Sequence, residues 1–197
     1  MADETEATID AQEYASALDE MRREKDEYFG SEPDSPISAE EQADFAGLTY
    51  YPPDLAYRVQ AQVVPFEHAE TVQMATTTGH IRPQLRYAEL CFSLNGQDLR
   101  LTGYLDPHYA EQHYGHRHGV ELFVPFRDAT SGKESYGAGR YLQVQVGDGE
   151  DGAQVATLDF NLAYSPYCAY NEAYSCPLPP TETTLRAPIE AGEKAYH

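Results

Sequence analysis

The period of hydrophobic and polar positions changes near Tyr57, from helical before it to alternating after it. Alternation is typical of half-buried β-strands. Asn95-Gly96 is the strongest hairpin signal, and the loop of residues 147–152 predicts a second, longer hairpin. Short strands joined by hairpins, with no helix between them, predict a mainly β fold: an antiparallel sandwich or a barrel-like sheet. The predicted strands are 56–64, 70–76, 80–87, 89–94, 98–104, 120–124, 139–146 and 154–161.

Two helices are predicted ahead of the sheet. Apolar residues recur near the helical period over residues 9–29, Asp10 suits the N-cap, and Gly30 suits a left-handed terminating position. After a linker rich in proline, serine and aspartate, Ser38 with an acidic residue three positions on predicts a short second helix through Phe45. The fold class is therefore a β-sheet preceded by an amphipathic helix and a short second helix.

The acidic residues concentrate in the predicted helical region. The whole chain has a net charge of -20, and residues 1–45 alone hold 15 acidic residues against three basic ones. We therefore expect an acidic helical extension over residues 1–47, packed on a single β-rich domain over residues 48–197. Such a charge repels phosphate backbones and anionic lipid, so we expect neither a nucleic acid nor a membrane partner.

Composition also predicts the location. No apolar run approaches the ~18 residues of a membrane span, and the first residues lack a basic start and an apolar core. Three cysteines, an odd number, fit reduced thiols better than a disulfide framework. We therefore expect a cytoplasmic protein.

The second hairpin predicts the environment of one arginine. If its strands pair with their apolar residues on one face, Arg140 lies on the apolar side, while Tyr141, Asp159 and Asn161 point to the other face. The apolar rows are Leu142, Val144 and Val146 on one strand and Ala156, Leu158 and Phe160 on the other. A buried guanidinium needs a carboxylate, and Asp128 and Glu193 are the leading candidates. It serves either a structural ion pair or the recognition of an anion.

Four segments resemble an uncharacterised protein family, the domain of unknown function 1684. They are FAGLTYYPPD (45–54), FVPFRDATSGKESYGAGRYL (123–142), LDFNLAYSPYCAYNEAYSCPLPP (158–180) and IEAGEK (189–194). The family occurs in bacteria and haloarchaea, and the resemblance implies no particular activity. It points to the 158–180 segment as the place of a site. Ser165 and Thr183 stand where the resemblance leads us to expect asparagine, so amides at these two positions are not indispensable.

Polar side chains converge where the last predicted strand enters that segment. Carboxylate, amide and phenol groups at one strand end suit a small polar ligand, with tyrosine faces packing against it. The alternative is that these groups satisfy the backbone of a long loop interrupted by prolines. They are Asp159, Asn161, Tyr164, Tyr170 and Asn171. The predicted ligand-binding residues comprise four of these and two others: Arg140, Asp159, Asn161, Tyr164, Cys168 and Tyr170.

Cys168 and Cys176 are separated by seven residues, unlike a zinc knuckle or a two-residue redox motif. Three interpretations stay open: buried structural thiols, a reactive thiolate or labile disulfide, and metal ligands.

A histidine cluster offers a weaker metal site. His113, His116 and His118, with His108 before them and Glu121 after them, follow a spacing that is similar to a cupin motif. The glutamate follows too soon for that motif, and no second histidine motif lies downstream. A solvated loop is the alternative.

Two principal classes of function remain, an enzyme or binding protein for a small polar molecule and a non-catalytic interaction module. A metal-binding, cupin-like protein is a third. A polar-lined concavity beside Asp159 would favour the first class, whereas a site filled by mutually hydrogen-bonded side chains would favour the second.

The excess of acidic residues predicts a salt-adapted, halophilic protein of the haloarchaeal type, with a merely acidic mesophilic protein as the alternative. Because molar salt shortens the screening length to ~3 Å, we expect a higher melting temperature in molar potassium chloride than in dilute buffer. Thermal melts followed by circular dichroism measure it. An equal or lower melting temperature in salt would contradict salt adaptation.

Overall fold

The computed structural model describes residues 9–113, 119–149 and 152–197. Their helices are α1 (Ala11–Ser31), α2 (Ala39–Gln42) and α3 (Pro107–His113). Their strands are β1 (Arg58–Ala75), β2 (Ile81–Leu94), β3 (Gln97–Leu105), β4 (Glu121–Phe126), β5 (Arg140–Asp148) and β6 (Gln154–Asp159). Short 3-10 turns lie at Leu55–Tyr57, Phe160–Leu162, Tyr167–Ala169 and Thr181–Thr183.

The described strands form one closed antiparallel barrel in the order β1-β2-β3-β4-β5-β6, and β6 pairs with β1 to close it. The mainly β prediction with two preceding helices is confirmed, and the barrel is the alternative that the structure adopts. A closed barrel leaves no sheet edge for another chain to pair with.

The predicted hairpin at Asn95-Gly96 is confirmed, but the first four predicted strands are two long ones. Asn95 and Gly96 have φ angles of 50° and 74°, which a tight hairpin turn requires. β1 continues through the gap predicted between residues 64 and 70, where a register shift lies between Pro65 and Glu70. An irregularity of this kind bends a strand without ending it. The predicted gap between residues 64 and 70 is therefore a bend inside one strand.

The second hairpin is confirmed with its predicted faces. Val146 pairs with Ala156, and Asp148 pairs with Gln154. All six residues of the two apolar rows are buried, and so is Arg140. Beyond Ala156 the pairing of β5 with β6 ends, while β6 continues beside β1 as far as Arg58 and Asp159 and β5 continues beside β4.

Apolar side chains from all six strands fill the barrel. Eight of the largest of them are less than 2% exposed: Leu90, Leu101, Leu105, Leu122, Phe126, Leu142, Leu158 and Phe160. Burial of a leucine or phenylalanine side chain contributes about 1.5–3 kcal/mol, so these residues provide much of the stability of the barrel.

Helix α1 begins as predicted and ends differently. The Asp10 carboxylate accepts the amides of Gln12 and Glu13, at 2.9 and 2.8 Å. The prediction that Gly30 terminates the helix is wrong, because Gly30 lies inside it and the helix stops before Pro33, whose ring disfavours helical backbone at the preceding residue. Gly30 instead allows close packing, since a Cβ there would lie 3.1 Å from the Phe45 ring.

Helix α2 has the predicted capping box, in which the Ser38 side chain and the Glu41 amide are hydrogen-bonded and the Glu41 carboxylate accepts the Ser38 amide. It ends at Gln42, three residues earlier than predicted. No described helix has both the length and the apolar character of a membrane-crossing segment.

The C-terminal strap, residues 189–193, lies against the turn that follows β6. Ile189 and Ala191 have no exposed surface. Gly192 has a φ of +77°, and a Cβ there would lie 2.5 Å from the Ala163 carbonyl oxygen and 2.7 Å from that of Phe160. Only glycine fits this close approach.

We expect Gly192→Ala to destabilise the protein much more than Gly79→Ala. Gly79 has a similar φ of +81° but nothing within 4 Å of the added carbon, so the two variants share the backbone strain and differ in the clash. Overpacking of this kind typically costs about 1–3 kcal/mol. Denaturant unfolding of both variants measures the difference, and equal losses would show that the strap tolerates the methyl group.

Candidate functional site

Arg140 begins β5 and has no exposed surface. Its Nη2 donates to Asp128 Oδ2 at 2.7 Å and to the Ile189 carbonyl at 2.7 Å. Its Nη1 donates to the carbonyls of Ala191 and Glu193. Asp128 is therefore its carboxylate partner, as predicted, whereas Glu193 contributes its backbone oxygen. The guanidinium fastens the C-terminal strap to the start of β5.

The Glu193 carboxylate, in a residue only 2% exposed, joins three parts of the chain. One oxygen binds Lys25 Nζ of helix α1. The other accepts the Ser165 amide at 2.7 Å and the Tyr170 hydroxyl. Burial and the neighbouring Glu193 carboxylate raise the pKa of Tyr170 well above its ordinary value, so this phenol remains a hydrogen-bond donor.

Asp159 and Asn161 make a second set of contacts at the end of β6. The Tyr14 hydroxyl of helix α1 lies 2.8 Å from both Asp159 carboxylate oxygens. Arg58 Nε lies 3.5 Å from the same carboxylate. The Asn161 side chain donates to Asp159 and to the Asp54 carbonyl and accepts the Asp54 amide. Burial and the Asp159 carboxylate raise the pKa of Tyr14, which keeps its proton in place.

Four predicted site residues, Arg140, Asp159, Asn161 and Tyr170, are thus bonded to other groups of the protein. The sequence left two alternatives open, a polar-lined concavity beside Asp159 and a site filled by mutually hydrogen-bonded side chains. The surroundings of Asp159 are a filled site. A cavity of about 270 Å³ lies nearby under helix α1, beside Asn161 and Glu193, but Asp159 does not line it.

A larger cavity of about 530 Å³ opens on the outer face of the barrel. Of the predicted ligand-binding residues, Tyr164 lines it, while Arg140, Asp159, Asn161, Cys168 and Tyr170 do not. We call it the tyrosine cavity, because six of its aromatic side chains are tyrosines. Its lining comprises Arg82, Gln84, Tyr104, Asp106, Tyr109, Glu121, Phe123, Tyr141, Gln143, Tyr164, Pro166, Tyr167, Tyr174, Ser175, Cys176 and Pro177.

Backbone hydrogen bonds hold the walls of the tyrosine cavity in place. Tyr141 and Tyr164 exchange amide-to-carbonyl bonds of 2.9 and 3.1 Å, which joins the 164–177 loop to β5. The tip of the β1–β2 hairpin holds the other end of the loop, since the Thr77 amide donates to the Cys176 carbonyl at 3.0 Å. The cavity is therefore formed before any ligand arrives.

The aromatic rings present both faces and edges to the cavity. Phe123 and Tyr141 meet edge to face with centroids 4.8 Å apart, and Tyr141 and Tyr164 do so at 5.7 Å. Burial raises the pKa of Tyr141 and of Tyr164, so both phenols are neutral near pH 7. The charged residues of the lining are Asp106, Glu121 and Arg82, two anions and one cation.

The two cysteines of the loop lie together behind this wall. Cys176 lines the cavity, and its Sγ accepts the amide of Cys168 at 3.3 Å. Both are free thiols, 6% and 8% exposed for Cys168 and Cys176 respectively. Asn171, between them, accepts the amide of Ala173 and so caps a turn.

The histidine cluster falls largely outside the described residues. His116 and His118 lie in the range that is not described, and only the backbone of His113 is described, at the end of α3. His108 is exposed. Where side chains are described, no group of three His, Cys, Asp or Glu could hold a metal ion.

The sequence interpretation missed most of the aromatic lining. Phe123 and Tyr141 occupy the outward face of β4 and β5, between the buried residues of each strand. An apolar or aromatic side chain at a position that alternation predicts to be solvated is the signal that could have found them. The contribution of Arg82 depends on the fold of the long hairpin and left no such signal.

We expect Lys25→Met to lower the free energy of unfolding by about 2 kcal/mol, since the Glu193 carboxylate would remain buried without its cation. Arg23→Met on the same helix is the control. Its ion pairs with Glu20 and Glu27 are exposed, so it should cost less than about 0.5 kcal/mol. Urea unfolding of both variants gives the comparison, and similar losses would mean that Lys25 contributes no more than a surface charge.

Comparison with known proteins places the chain in a family. The model of a family described as "Protein of unknown function (DUF1684)" matches residues 43–194, a range that contains the whole tyrosine cavity. The solution NMR structure of an uncharacterised protein of Haloarcula marismortui is 39% identical, covers 93% of this chain and 95% of its own, and superposes with a TM-score of 0.67. No curated protein matches. The chain thus belongs to the DUF1684 family, as the four sequence segments indicated.

Proposed function

We propose that the protein binds a small polar molecule with a ring, neutral or positively charged, in the tyrosine cavity. The observation that carries the proposal is the cavity itself: about 530 Å³, lined by seven aromatic side chains and held by backbone bonds on two sides. A preformed concavity with an apolar lining and a few polar groups is the usual form of a small-molecule site.

The aromatic lining supports a ligand with a flat face. Tyrosine and phenylalanine rings pack against planar groups through offset and edge-to-face contacts, and their faces attract cations. The Gln143 amide donates to the Tyr164 hydroxyl at 3.2 Å. Polar side chains of this type fix the orientation of a ligand at low energetic cost.

The charge of the cavity supports a neutral or cationic ligand over an anionic one. Asp106 and Glu121 outnumber Arg82 in the lining, and the whole chain has a net charge of -20. An anion would approach against this field. For the same reason nucleic acids and anionic membranes are not part of the proposal.

The filled surroundings of Arg140 and Asp159 favour a supporting role for these residues. Arg140 holds the strap, and through Glu193 it holds the loop that forms one cavity wall, while Asp159 holds helix α1 through Tyr14. A cytoplasmic location also belongs to the proposal, supported by the three free cysteines.

Benzamidine and benzoate test the proposal, because they share a shape and differ in the sign of their charge. We expect benzamidine to bind about fivefold more tightly, a difference of ~1 kcal/mol for a partly exposed cation over aromatic rings. NMR titration at the lowest salt that keeps the fold intact would follow both compounds. The shifted signals should belong to residues of the tyrosine cavity.

Glu121→Gln and Glu172→Gln distinguish the effect of a charge in the cavity from the effect of the net charge of the protein. Each removes one negative charge. Glu121 lines the cavity, whereas Glu172 is an exposed residue of the 164–177 loop that does not line it. We expect the preference for benzamidine to fall in Glu121→Gln alone. Equal binding of the two compounds, or shifts confined to the cavity under helix α1, would overturn the proposal.

A further inference from the structure

The two cysteines of the 164–177 loop are close in space although seven residues separate them. A 3-10 turn at Tyr167–Ala169 carries Cys168, and the contact with the β1–β2 hairpin fixes Cys176. The amide of Cys168 donates to the Cys176 sulfur at 3.3 Å, which places the two thiols side by side. We propose that Cys168 and Cys176 form a redox-active dithiol, which a hydroperoxide oxidises to an intramolecular disulfide and a small thiol reduces again.

Hydrogen bonds identify Cys168 as the thiolate of the pair. Its sulfur accepts the Tyr136 hydroxyl at 3.7 Å, and such a donor stabilises a negative sulfur. The neighbouring Cys176 thiol, the largest cause, lowers the pKa of Cys168 to about 6 against the effect of burial. In turn Cys168 raises the pKa of Cys176.

Other titratable groups packed around the pair act on it less strongly. Tyr136 and Tyr141 are neutral because burial raises the pKa of each phenol. Arg82, on the hairpin, favours the thiolate form of Cys176, while Glu172 acts on Tyr136 from the loop.

The tyrosine cavity gives a small oxidant access to the pair. Cys176 lines the cavity and Cys168 lies directly behind it, so a hydroperoxide in the cavity is next to the pair. The third cysteine, Cys91, provides an internal reference. It lies half-buried on β2, where burial and the Glu89 carboxylate raise its pKa, so it should react slowly.

The oxidation occurs in two steps. The Cys168 thiolate attacks one peroxide oxygen, so that an S–O bond forms, the O–O bond breaks, and the leaving oxygen departs as water or an alcohol after taking a proton. Cys176 then attacks the sulfenic sulfur of Cys168, the S–S bond forms, and the hydroxyl leaves as water with the thiol proton. Two thiols lose two electrons and the peroxide gains them. Exchange with two molecules of a small thiol restores the pair and yields their disulfide.

Oxidation of the whole wild-type protein with hydrogen peroxide tests the proposal directly. After treatment, denaturation and alkylation, we expect one of three cysteines to be alkylated and peptide mapping to show a Cys168–Cys176 link that dithiothreitol removes. The initial rate should rise with pH to a half-maximum near pH 6. Three alkylated cysteines, a link that involves Cys91, or a half-maximum near pH 9 would overturn the proposal.

Serine variants then assign the two sulfurs. Cys176→Ser should retain a sulfenic acid on Cys168 that a 1,3-dione traps, Cys168→Ser should trap none above the level of Cys91, and Cys91→Ser should oxidise like the wild type. Trapping on Cys176 in Cys168→Ser would contradict the assignment of the thiolate. The wild-type peptide map requires no variant, so loss of folding in either serine variant leaves the test of the dithiol intact.

Discussion

The buried guanidinium of Arg140 is the constraint on which the rest of the structure depends. A charge without any exposed surface is tolerable only when nearly all of its donors are used. Here one carboxylate and three carbonyl oxygens receive them. Because the carbonyls belong to the C-terminal strap, the arginine cannot be satisfied unless the last segment of the chain closes over the end of the barrel. The same requirement makes the strap a part of the fold instead of a loose end.

The strap in turn positions the wall of the tyrosine cavity. Once Arg140 has fixed the backbone of Glu193, the carboxylate of that residue is directed at the Ser165 amide, the Tyr170 hydroxyl and Lys25. A single buried side chain thus links the loop to helix α1. Residues that resemble a site in the sequence support the walls of the tyrosine cavity, and the surface that we propose for the ligand consists of the tyrosines beside them. Redox chemistry at the cysteine pair would act on this same wall.

Local patterns predicted the parts of the fold that depend on local chemistry. Asn95-Gly96 marked its turn because few residues accept positive φ. The alternation in β5 and β6 placed Arg140 inside and required a carboxylate, with Asp128, the observed partner, and Glu193 as the two candidates. The continuation of β1 and β2 through their irregularities was missed, since pairing with a neighbouring strand decided it and composition did not. Gly30 was wrongly predicted to end helix α1 for a similar reason. A tertiary contact, the close packing of Phe45 against it, explains the glycine. The cavity combines β2, β4, β5 and a distant loop, and no single stretch of sequence carries that combination.

Equilibrium unfolding of Arg140→Met tests the central claim most directly. The substitution keeps an unbranched apolar stem, removes the guanidinium with its charge, and leaves Asp128 and the strap carbonyls without their donor. If the guanidinium organises the strap and the cavity wall, the free energy of unfolding should fall by about 3–5 kcal/mol, and hydrogen exchange should quicken first at the strap and the 164–177 loop. A variant as stable as the wild type, with an unchanged pattern of exchange, would contradict this account.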